Sequence, residues 1–111
     1  MKHVHYTDVP LEPVEIEGAQ GVSVRWVINE ADGAKNFAMR IFEVEPEGKT
    51  PYHDHDFEHE VFILAGSGVL TFNGQQSALK PQEVVFIPGG ESHNFQAGPQ
   101  GLTFMCLIPL S

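Results

Sequence analysis

The segment Gly48-Lys49-Thr50-Pro51-Tyr52-His53-Asp54-His55-Asp56-Phe57-Glu58-His59-Glu60 places three histidines close together, and Pro88-Gly89-Gly90-Glu91-Ser92-His93 supplies a fourth. Imidazole is the commonest ligand for transition metals, so the first chemistry to consider is metal binding. His53 and His55 are two residues apart, and in an extended chain such side chains leave the same face and can turn toward one point. His59 follows Asp56-Phe57-Glu58, a stretch short enough for a tight connection that returns the chain beside the strand it has left. His93 must arrive from elsewhere in the fold. The four read together as two halves of one metal site. The plainer alternative is a surface cluster of titrating histidines among Asp54, Asp56, Glu58 and Glu60.

Neutral imidazole suits Zn, Cu, Fe and Ni, whereas Mg and Ca require hard oxygen ligands. Four protein ligands around an ion that prefers six leave two positions open, the mark of a working metal rather than a structural one. Two open positions could take a bidentate substrate, or a substrate beside dioxygen or peroxide. Oxygenation and metal-assisted isomerisation or hydrolysis both fit.

Such a site needs a scaffold, and the rest of the chain reads as strands. Val22 to Ile28 and Phe37 to Val44 are rich in β-branched and aromatic residues, the second ending at Glu45-Pro46-Glu47-Gly48, where proline and glycine are expected to stop sheet pairing. A histidine strand follows. Glu60 to Ala65 and Val69 to Phe72 flank Gly66-Ser67-Gly68, and Asn73-Gly74 is a strong hairpin signal. Gln76 to Leu79, Val84 to Ile87, His93 to Gln96 and Leu102 to Ile108 complete the set. Many short strands without a convincing amphipathic helix predict an all-β antiparallel barrel or double-sheet sandwich. Residues 1–20, with Pro10 and Pro13, are expected to form an extended arm along a sheet edge.

Val61-Phe62-Ile63-Leu64 and Val84-Val85-Phe86-Ile87 are apolar on both faces, so the outer face needs a cover; a homodimer would provide one. The 111 residues fit one domain spanning 1–111, and eight Phe, eleven Gly and eight Pro suit a packed, turn-rich interior. A formal net charge of −9 works against nucleic acid and anionic membranes as partners. Cys106 is the single cysteine, and Met1 to Leu11 shows no charged start followed by an apolar run. The expectation is a soluble, cytoplasmic protein acting on a small molecule.

The two segments, spanning residues 44–95, resemble the paired motifs of the cupin superfamily: glycine, four residues, His-x-His, three residues, His, six residues, Gly66, then Pro88-x-Gly90-x-x-His93. The chain is most similar to small single-domain metal-binding cupins, especially a four-histidine manganese-binding subgroup in which the usual metal-binding glutamate is replaced by histidine; His59 holds that position. Asn36-Phe37-Ala38-Met39-Arg40 and Cys106-Leu107-Ile108-Pro109 extend the similarity. Gln82 and Ala97 depart from the motif pattern at turn positions. The resemblance implies a cupin-type jelly-roll barrel, with His53, His55, His59 and His93 on one divalent transition metal. Manganese is the metal so implied; Fe, Ni, Cu and Zn remain open on ligand chemistry.

Strand alternation then proposes a pocket lining. If Phe42 and Val44 face inward, so do Ala38 and Arg40, placing near the cavity a guanidinium able to clamp a carboxylate or enolate; the alternative is an Arg at the barrel mouth paired with a surface acid. Leu102, Phe104, Cys106 and Ile108 share one face, offering Phe104 as an apolar wall and Cys106 as a thiol near the metal or a small core residue. The leading functional expectation is an oxygen- or peroxide-using, dioxygenase-like oxidoreductase. Its alternatives are a non-catalytic sensor or carrier of small ligands, a metal-assisted isomerase, and a barrel in which the metal is structural.

Overall fold

The computed structural model describes residues 1–110, in which seven strands form one antiparallel sheet. They are β1 (Glu12–Pro13), β2 (Gln20–Ile28), β3 (Phe37–Lys49), β4 (His59–Phe72), β5 (Gln75–Leu79), β6 (Val84–Ile87) and β7 (His93–Pro109). The order is β1-β2-β3-β7-β4-β5, with β6 on the free side of the first half of β4. Two short 3-10 turns, Tyr6–Asp8 and Glu30–Asp32, complete the regular structure. Among the described residues no helix is long and apolar enough to cross a membrane.

The sheet closes into a barrel because β4 and β7 are long and bend. The first half of β4 pairs with β6 and with Leu102 to Leu107 of β7; its second half pairs with β5 and with His93 to Ala97. Register shifts at Ile63/Ala65 and Gly66/Gly68 mark the bend. Gly66 has φ +84°, and a Cβ there would lie 2.1 Å from the Gly101 carbonyl oxygen, so the two strands cross where only glycine fits. Sequence alone divided β4 and β7 each into two strands at these glycines. The glycines instead make bulges that carry the strand around the corner.

Two further expectations are corrected. β3 runs on through Pro46 to Lys49, although its pairing with β7 jumps from Val44↔Leu102 to Lys49↔Gln96. Proline interrupts the ladder without ending the extended chain. The histidine strand is absent as such, since residues 50–58 are irregular apart from one bridge, His53↔His93. The arm does lie along an edge: β1 pairs with β2 through Glu12↔Val24 and Pro13↔Ser23.

Alternation held on the inner face. Ala38, Val44, Val61, Ile63, Leu102 and Cys106 are all buried. Outward, Leu64, Val84 and Phe86 are exposed, at 39%, 74% and 59%. Phe62 lies opposite both Val84 and Met105, so these residues join into one apolar outer face.

Candidate functional site

Backbone hydrogen bonds lace the two histidine segments together. His53 and His93 exchange N–H···O bonds of 3.2 and 3.1 Å, Thr50 donates to the Phe95 carbonyl at 2.9 Å, and Gly90 donates to the His55 carbonyl at 2.6 Å. The Pro88-Gly89-Gly90 turn passes so close that a Cβ at Gly89 would stand 2.4 Å from the Asp56 carbonyl oxygen. These contacts tie the irregular loop to β7 and to the turn before it. His59 enters from the start of β4, opposite Ile87, and His93 from the start of β7, opposite Phe72.

All four imidazoles line one cavity of about 360 Å³. Their ring centroids are 4.4 Å apart for His53–His55, 5.2 Å for His55–His59, 5.4 Å for His59–His93 and 6.4 Å for His53–His93. Nε2 of His53 lies 2.8 Å from Nε2 of His55. Nδ1 of His53 meets the Pro51 carbonyl at 3.0 Å and Nδ1 of His93 meets the Glu91 carbonyl at 2.9 Å. Each carbonyl accepts an Nδ1–H, which sets the tautomer and leaves Nε2 with a lone pair. His59 is buried, and its Nδ1 has no hydrogen-bond partner.

Burial and neighbouring positive charge hold His55 and His59 neutral. Burial, then the Arg40 guanidinium and the neighbouring imidazoles, push His59 down to about 4. Burial first, then His53 and Arg40, also lower His55. Neutral imidazole is the form a metal needs.

Whether these donors suit one ion can be judged from their spacing. Among the described residues no three His, Cys, Asp or Glu side chains are arranged so as to hold a metal ion. A ring nitrogen about 2.1 Å from an ion puts its centroid about 3.2 Å away, so rings at right angles stand ~4.6 Å apart and opposed rings ~6.5 Å. The observed 4.4 to 6.4 Å covers that range. Two Nε2 atoms bound at right angles would be about 3 Å apart, close to the His53–His55 separation of 2.8 Å. In side-chain chemistry the four imidazoles are donors of the type a divalent transition ion takes.

Arg40, Phe104 and Cys106 line the same cavity. Arg40 Nη2 donates to Cys106 Sγ at 3.2 Å, and burial raises the thiol against the pull of the guanidinium, which keeps it protonated. Cys106 is thus a buried wall residue beside Arg40. Sequence reasoning missed Val14 and Ile16 of the arm, and Trp26, at the cavity wall. Trp26 is the direct cross-strand neighbour of Arg40, a pairing that only the β2–β3 register reveals. For the arm, the apolar Val14 and Ile16 between acidic neighbours were the available signal.

Known proteins with this architecture give the comparison. The solved structure of the polyketide cyclase RemF from Streptomyces resistomycificus superposes with TM-score 0.94 at 41% identity, covering 100% of this chain and 80% of that one. The 1-methylthio-D-xylulose 5-phosphate methylsulfurylase of Rhodospirillum rubrum is 37% identical over 71 residues, 63% of this chain and 46% of that protein. The oxalate-binding protein of Thermotoga maritima is 36% identical over 67 residues, 59% of this chain and 55% of that protein. The chain spans about half the length of the curated relatives it matches. The family model described as Cupin domain matches residues 40–108, from Arg40 of β3 through both histidine segments to Ile108 near the end of β7, and the chain belongs to the cupin family.

Proposed function

We propose that this chain, as one cupin domain over residues 1–111, binds a divalent metal through His53, His55, His59 and His93 and closes rings in a polyketone substrate. The observation that carries the reading is the make-up of the cavity. Its charged and imidazole side chains are four histidines and Arg40, with no carboxylate, inside walls built from Trp26, Phe42, Phe95 and Phe104. A similarity of 41% identity over the whole chain to a polyketide cyclase supports that choice of chemistry.

Ring closure of this kind is an aldol reaction. A carbon between two carbonyls loses a proton, its electron pair forms a carbon–carbon bond to a second carbonyl carbon, and that carbonyl oxygen takes up a proton. Loss of water then follows, so no oxidant is consumed. A bound divalent ion would supply Lewis acidity at a carbonyl oxygen. The aromatic walls would hold a flexible chain folded with its reacting carbons adjacent, a gain chiefly in entropy, and would exclude water. The Nδ1 bonds of His53 and His93 to the Pro51 and Glu91 carbonyls would hold both rings at fixed angles.

The second reading is the oxygen- or peroxide-dependent chemistry expected from sequence, favoured by the two coordination positions that four ligands leave on a six-coordinate ion. Manganese is the ion implied by the resemblance to four-histidine cupins. The donor set accepts Fe, Ni, Cu and Zn as well. The apolar outer face carrying Val84 and Phe86 fits a homodimer in the cytoplasm.

The test incubates metal-loaded protein with a poly-β-ketone thioester mimic, following products by mass spectrometry beside an oxygen electrode. Ring closure with loss of water and no oxygen uptake, abolished in His53→Ala, is expected. Substrate loss that tracks oxygen uptake would overturn the cyclase in favour of the oxidoreductase. Binding without turnover would leave a carrier.

A further inference from the structure

Arg40 brings positive charge into a cavity that holds no counter-charge. Its guanidinium has five N–H donors. Among the described residues its one hydrogen bond runs from Nη2 to Cys106 Sγ at 3.2 Å, and a thiol is a weak acceptor. Its Nε is buried with no partner. Among the described residues the ion pairs are Lys2–Asp32 and Arg25–Glu43, so no carboxylate answers Arg40. A charged donor left unmatched in a partly buried site costs more than a neutral one, and a ligand that supplies the acceptor recovers that cost.

The side chain is also held in place. The guanidinium carbon lies 5.4 Å from the Trp26 ring centroid and 4.9 Å from that of Phe42, cation–π contacts that hold the side chain beside both rings. From there an aromatic wall leads to the imidazoles. Phe42 stacks on Phe104 at 5.2 Å, Phe104 on Phe95 at 4.5 Å, and Phe95 meets His93 at 6.0 Å. One end of this column of stacked rings therefore carries the guanidinium and the other the histidine cluster.

We propose that Arg40 is the specificity-determining anchor of this cavity, hydrogen-bonding a carboxylate or enolate oxygen of a planar, conjugated substrate that lies along the Phe42–Phe104–Phe95 wall. The inference rests on the cavity being the substrate site, as the proposed function holds, and it is independent of whether ring closure occurs there. It differs from a purely structural role, in which Arg40 only packs between Trp26 and Phe42.

The experiment compares binding of naphthoate with that of neutral naphthamide by calorimetry, using wild type, Arg40→Gln and Arg40→Lys, each metal-loaded and after chelation. Circular dichroism and Trp26 emission confirm folding. Wild type should prefer the anion by roughly tenfold to a hundredfold, with the preference surviving chelation. Arg40→Gln should bring the ratio near one, and Arg40→Lys, which keeps the charge and loses the fork, should fall between. A wild-type ratio near one, a preference that vanishes with the metal, or a ratio unchanged in Arg40→Gln overturns the proposal. If the Gln variant does not fold, the Lys variant decides: an undiminished ratio there also overturns it. Absence of cyclase activity alongside an Arg40-dependent anion preference would refute ring closure and leave this inference standing.

Discussion

Replacing His59 with leucine tests whether its imidazole is kept for a metal at the expense of the metal-free fold. The residue is 6% exposed and its Nδ1 has no partner, so the metal-free protein carries a buried, unsatisfied nitrogen. Such a group costs about 1–3 kcal/mol, and leucine of similar size removes it. At neutral pH, metal-free His59→Leu should be more stable by about 1 kcal/mol, a rise in Tm of roughly 4 °C.

Acid should widen the gap. With a folded value of about 4, below the 6.5 of the free side chain, the unfolded chain binds the proton first as pH falls. This contribution to stability is intact above 6.5, declines as pH falls toward 4, and loses no more below that. The loss reaches no more than about 3 kcal/mol in wild type and is absent from the variant. Metal reverses the order. An ion at a hundred times its Kd stabilises the native state by about 2.7 kcal/mol, whereas a site weakened a hundredfold gains about 0.4 kcal/mol at the same concentration. Urea denaturation followed by Trp26 fluorescence, with and without manganese or zinc, measures every quantity. Metal-free His59→Leu less stable than wild type, or a variant that keeps the full metal-induced gain, would refute the reasoning.

Gly66→Ala should unfold the barrel or cost at least about 3 kcal/mol, because a Cβ at φ +84° would stand 2.1 Å from the Gly101 carbonyl oxygen; thermal denaturation reads the loss. Phe86→Glu should alter monomer stability by less than about 0.5 kcal/mol, since the side chain is 59% exposed. In sedimentation the proposed homodimer should be seen for wild type and lost in the same variant.

Residue type and spacing alone picked out the histidine cluster. The His-x-His pair, His59 and the Pro-x-Gly-x-x-His93 turn marked the imidazole cluster before any geometry was known, because metal-ligand chemistry depends on side-chain identity. Period-two alternation likewise placed Arg40, Phe104 and Cys106 on inner faces, since a strand has only two sides. Local pattern could not decide which strands are neighbours or where a strand bends. Gly66 and Gly101 read as strand ends, yet they carry β4 and β7 around the barrel corner; what a glycine does there depends on the backbone crossing it from far along the chain. Trp26 met Arg40 only through the β2–β3 register, and Val14 and Ile16 reached the cavity only because the arm lies on β2. Even the meeting of His53 with His55 came from an irregular loop tied down by His93 and Gly90 rather than from the strand expected of it. Identity and alternation are local properties that a sequence carries outright; register, bends and cavity walls are long-range, set by the free energy of the whole packed chain.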